Sequence, residues 1–97
     1  MQVTKATFTA FQGTSQKWVL RVEVEGSDFQ RCASPVVASV GGVPVEFIIV
    51  NLASDGFGGL MRTVPPTGAE LSVGYDNTGL DATGIFFDPQ DVVAPTV

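Results

Sequence analysis

Two of the ten acidic side chains frame the segment Asp76-Asn77-Thr78-Gly79-Leu80-Asp81, where carboxylate, amide and hydroxyl oxygens of the kind that suit a hard cation such as Ca²⁺ stand close together. The spacing departs from that of an EF-hand loop. The same residue types are also what a turn needs for local hydrogen bonds and positive φ, so the segment reads as a turn and no metal is expected there. Asp55-Gly56 and Asp88-Pro89 read the same way. Glu23 and Glu25 are the nearest thing to a carboxylate pair, but glycoside cleavage needs two acids facing each other across a cleft. Two positions apart on one strand, they share a wet face and serve as surface charges. Cys32 is the single cysteine and the chain contains no histidine, so neither a thiol nor a serine nucleophile has its usual base. Gly13-Thr14-Ser15 lacks the form of a nucleophile elbow. Gly56-Phe57-Gly58-Gly59 lacks the lysine and the helix of a phosphate-binding loop. The expectation is a protein without catalytic residues, bound metal or cofactor.

What remains is contact chemistry. Phe57 sits among glycines at the predicted tip of a hairpin, where it either folds back onto a sheet edge or stands exposed as a candidate contact aromatic. Phe11, Val19 and Phe86 fall off the dry register of their strands and are the other candidates for a sticky outer face. Trp18 could stack on a sugar ring, yet its register beside Leu20 and Val22 assigns it to the core. Phe29 is assigned to the core with it.

The elements that would hold these groups are short strands. Trp18, Leu20, Val22 and Val24 recur at every second residue, with Arg21, Glu23 and Glu25 between them, the pattern of a strand with one dry and one wet face. Seven such segments are predicted: 3–11, 18–25, 35–40, 45–52, 59–64, 69–76 and 85–87, separated by Gly, Asp, Asn and Pro signals. In the fourth, Val45, Phe47 and Ile49 point one way and Ile48 and Val50 the other, which suggests a central strand. Pro65-Pro66 removes two ladder donors and stops the fifth. The predicted core spans 3–88 of a single domain covering 1–97, with a tail over 89–97 that is either frayed or a strand completed by another chain.

Composition agrees with a sheet protein. Of 97 residues, 44% are hydrophobic and only 15% charged, and eleven Gly with six Pro punctuate the chain. A net charge of −5 with only five basic residues leaves no cationic surface for displacing phosphate counterions, which argues against nucleic acid. The apolar run 43–52 contains Pro44 and Glu46 and is about half the length that a membrane helix needs, so membrane insertion is not expected. The N-terminus lacks the basic and apolar regions of a signal peptide. Two compartments therefore stay open: the cytoplasm if the chain is a complete product, the cell surface or exterior if it is cut from a longer one. A lone cysteine rules out an intrachain disulfide, leaving packing to supply stability.

The order of these signals resembles the IPT/TIG domain, an immunoglobulin-like fold found in plexin-type receptors, some transcription factors and many bacterial surface and starch-acting proteins. The matching pieces are the alternating strand into Gly26-Ser27-Asp28-Phe29, then Val40-Gly41-Gly42-Val43-Pro44-Val45, which is similar to strand C with its Gly-Gly turn. Val64-Pro65-Pro66-Thr67-Gly68 resembles the corner before strand F, and Leu71 to Tyr75 and Ile85-Phe86-Phe87 resemble strands F and G. The likeness covers about residues 15–88. It departs at the first strand, which lacks an opening Pro-x-Ile, and between Phe29 and Val40. It implies an immunoglobulin-like antiparallel β-sandwich of about seven strands that spaces other domains or presents a surface for protein contact, with no catalytic residues. The expected role is thus protein–protein contact or self-association. A carbohydrate-binding accessory domain and a structural part of a phage or cell-surface assembly are the alternatives.

Overall fold

The computed structural model describes residues 2–10, 18–29, 35–77 and 79–93. They form β1 (Gln2–Ala10), β2 (Leu20–Ser27), β3 (Val36–Val40), β4 (Val43–Pro44), β5 (Glu46–Val50), β6 (Gly56–Met61), β7 (Glu70–Tyr75) and β8 (Gly79–Phe86), followed by a 3-10 turn over Pro89–Asp91. Two four-stranded antiparallel sheets, ordered β1-β2-β6-β5 and β4-β3-β7-β8, pack face to face. The eighth strand, beyond the seven expected, is the two-residue β4. Gly41 and Gly42, both at positive φ, link it to β3 in a two-residue hairpin that pairs Val40 with Val43.

Alternation builds the core. Leu20, Val22 and Val24 of β2 are all but fully buried, and so are Val36, Ala38 and Val40 of β3 and Leu71 and Val73 of β7. Phe29 meets Phe57 edge-to-face with ring centroids 5.2 Å apart, and Phe8 of β1 meets Phe87 across the sheets at 5.0 Å. The Tyr75 hydroxyl donates to the Asp28 carbonyl at 2.7 Å, tying the end of β7 to the chain leaving β2.

Several expectations need correction. Trp18 does not share the inner wall: it precedes β2, beyond the last buried pair Leu20 and Met61, and is only half-buried. Its ring stands edge-on to Phe47 at 5.1 Å, with the Arg62 guanidinium 4.9 Å from its centre. Alternation could not tell that β2 starts only at Leu20, two residues after Trp18. β6 begins at Gly56, inside the stretch expected to be a turn. β8 begins at Gly79, six residues before the expected strand, because exposed polar residues on an edge carry no alternating apolar signal. Past the 3-10 turn, Val93 pairs in parallel with Thr9, donating to Phe8 O and accepting from Ala10 N. Through Val93, then, the tail is docked on the free edge of β1.

β5 is an edge strand, not a central one. Its pairing with β6 runs from Glu46↔Leu60 to Ile49↔Gly58, so three steps on β5 match two on β6 and one extra residue bulges out. Phe47 takes the bulge at φ 54. The extra residue reverses the parity. Val45 is buried before it, while Ile48 and Val50 pack toward the core after it, leaving Phe47 65% and Ile49 75% exposed.

Candidate binding face

The outer face of the β1-β2-β6-β5 sheet follows from β6. In Gly56-Phe57-Gly58-Gly59-Leu60-Met61, the inward positions are Phe57, Gly59 and Met61, paired with Val24, Val22 and Leu20. The outward positions are Gly56, Gly58 and Leu60, paired with Glu25, Glu23 and Arg21. Two of those three have no side chain. The strand therefore sinks between its neighbours and leaves an open groove of about 810 Å³. One wall is β2, with Arg21, Glu23 and Glu25; the other is β5, with Phe47 and Ile49. Register places Thr7, Glu23, Gly58 and Ile49 in one row across the sheet, and Lys5, Glu25 and Gly56 in the next.

Local bonds hold the walls. Arg21 and Glu23 form an ion pair at 2.8 Å, and Arg62 and Glu46 another at 2.9 Å, all of them solvated and worth little to stability. Among the described residues Glu25 makes no ion pair. At the groove's end Asn51 braces the β5–β6 turn. Its amide donates to the Asp55 carboxylate, its side-chain oxygen accepts from Asp55 N at 3.1 Å, and its backbone N–H bonds Gly56 O at 3.0 Å. The turn is in turn tied to β2 through Gly26 N to Asp55 O and Phe29 N to Ser54 O.

The residues singled out from sequence are scattered. Phe57 is 4% exposed and lies in the core, so it is no contact residue: its glycine neighbours are strand positions, and Phe29 covers its ring. Val19, 36% exposed, lies just before β2. Phe86, 59% exposed, lies on β8 in the other sheet, and Phe11 falls outside the described residues. The structure therefore does not unite Phe57, Val19 and Phe86. The residues that do converge, Phe47, Ile49 and Gly58, were hidden behind the bulge, whose only sequence trace is an apolar run that changes parity partway. Among the described residues no three His, Cys, Asp or Glu side chains gather as a metal site, and Asp76 and Asn77 lie exposed in the β7–β8 turn.

No protein-family model matches this chain, and neither a curated protein nor a solved structure does.

Proposed function

We propose that the chain is a non-catalytic module with immunoglobulin-like topology, of IPT/TIG type, that works by presenting the outer face of the β1-β2-β6-β5 sheet to a protein. The strand orders support the topology: read as A-B-E-D and C′-C-F-G, they match the two sheets of an immunoglobulin constant-type sandwich with one added edge strand. The burial of Phe29 just past strand B and the Gly41-Gly42 hairpin after strand C support the finer family reading. The observation that carries the role is the exposure of Phe47 and Ile49 beside a floor of glycine. A soluble sheet face ordinarily covers such side chains or replaces them with charge.

A spacer role, or a place in a larger phage or cell-surface assembly, would use the same face against another subunit. The carbohydrate reading loses Phe57 as its loop aromatic, since that ring is buried, and keeps only the likeness to domains of starch-acting proteins.

The test is a photo-crosslinking amino acid at position 49, compared with one at the exposed β8 position 82, in cells that make the protein. A discrete adduct from position 49 alone supports the module reading. Equal or absent adducts at both positions would remove it.

A further inference from the structure

The described glycines have structural reasons to be glycine, with one exception. Gly41, Gly42, Gly68, Gly79 and Gly84 adopt positive φ, and a Cβ at Gly26, Gly56, Gly59 or Gly74 would strike a neighbour at 2.7 Å or less. Gly58 has neither reason. A Cβ built there meets only the Val22 carbonyl oxygen at an ordinary 3.8 Å, and φ is not positive. A mid-strand glycine is less stable than alanine there, so at this site the fold forgoes stability. What the glycine does is keep the groove floor open between a wall bearing Glu23 and Glu25 and a wall bearing Ile49 and Phe47.

We infer that, given the binding role proposed above, this groove takes a basic, extended segment of another protein, with the aliphatic stem of an arginine or lysine lying over Gly58 against Ile49 and its cationic end at Glu23 and Glu25. The flanking strands are two strand spacings apart, about 9–10 Å between axes, which admits one such stem between the walls. Long cationic side chains lay their stems on apolar surface and keep the charged end solvated, which this pairing of walls accommodates. Charge complementarity points the same way: the chain carries −5, and of the charged side chains that line the groove Glu23, Glu25 and Asp55 outnumber Lys5 and Arg21, with Glu25 in no ion pair among the described residues.

A second copy is the poorer occupant: no two of its five basic residues stand two positions apart, so it offers single cations and not a run of them on one face. A glycan fits less well, because the exposed aromatic of that wall, Phe47, already meets the Trp18 ring and the Asn51 amide and Asp55 carboxylate are bonded to each other.

The probe is a fluorescent synthetic peptide of alternating arginine and threonine, titrated by anisotropy against the whole chain, with a citrulline–threonine peptide as its neutral isostere. The arginine peptide is expected to bind saturably, more weakly at higher salt. Gly58→Val, Ile49→Ser and Glu25→Lys are each expected to weaken it about tenfold, which is about 1.4 kcal/mol, while Phe86→Ser on the other sheet leaves it unchanged. Circular dichroism confirms that each variant is folded, and the space at Gly58 and the exposure of Ile49 make that the expected result. Absent binding, equal binding of the citrulline peptide, or indifference to all three groove variants would overturn the inference. So would self-association abolished by Gly58→Val, or binding of a neutral glucan oligosaccharide at the same face. A retained adduct from position 49 with no peptide binding would remove the basic segment alone, leaving the module reading intact.

Discussion

The bulge at Phe47 can be tested by an inversion of the usual residue order. In an ordinary strand, glycine is less stable than alanine by about 0.5–1 kcal/mol because it loses more backbone freedom on folding. Phe47, however, sits at φ 54, where a Cβ costs about 1–2 kcal/mol that glycine avoids. Phe47→Ala and Phe47→Gly lose the same ring, so its contact with Trp18 cancels between them and the backbone terms remain. Setting the middle of one range against the middle of the other leaves glycine ahead by about 0.75 kcal/mol. Over 97 residues the unfolding entropy is about 0.2 kcal/mol/K, so the glycine variant should melt about 3–5 °C above the alanine variant. At Ile49, two residues on and in ordinary extended backbone, the order should revert, with alanine above glycine. Thermal melts of the four variants followed by circular dichroism would show it. If alanine is the more stable at both positions, Phe47 lies in regular strand, the parity reversal fails, and Phe47 and Ile49 lose their place on the outer face.

Other consequences follow from the same packing. Phe57→Ala should cost about 3–5 kcal/mol in denaturant unfolding, since the ring is 4% exposed and packed on Phe29, whereas Phe86→Ala should change stability by about 0.5 kcal/mol or less. Similar losses for the two would refute the burial of Phe57. Tyr75→Phe removes the hydroxyl that bonds the Asp28 carbonyl at 2.7 Å and should lower stability by about 1 kcal/mol, with earlier amide exchange around Asp28. Adjacent glycines should behave oppositely: Gly59→Ala drives a Cβ to 2.4 Å from Val45 Cγ1 and should destabilise by about 1–3 kcal/mol, while Gly58→Ala should be neutral or slightly stabilising.

How far the fold could be read from sequence depended on where each strand sits. β2, β3 and β7 lie inside their sheets and fall within the expected strands 18–25, 35–40 and 69–76 but for the last two residues of β2, and in β2 alternation also selected the buried Leu20, Val22 and Val24. The Gly41-Gly42 turn was legible because two successive positive-φ positions call for glycine. Edges were harder. β8 faces water along most of its length and carries no hydrophobic period, and β5 carries one that the bulge breaks. The glycines of β6 have turn composition, and only tertiary pairing with β2 makes them a strand, which is why Phe57 was placed at a tip when it lies in the core. The binding face was illegible for the same reason: its floor is an absence of side chains, and its apolar wall is created by a register shift.

The most direct measurement of the central claim is the map of backbone amide shifts on a ¹⁵N-labelled chain as the arginine–threonine peptide is added. Shifts should gather at Glu23, Glu25, Ile49 and Gly58, with β3 and β7 unmoved. Shifts centred on the opposite sheet would contradict the claim that this molecule works through the outer face of β1-β2-β6-β5, and none at saturating peptide would remove the basic segment as its occupant.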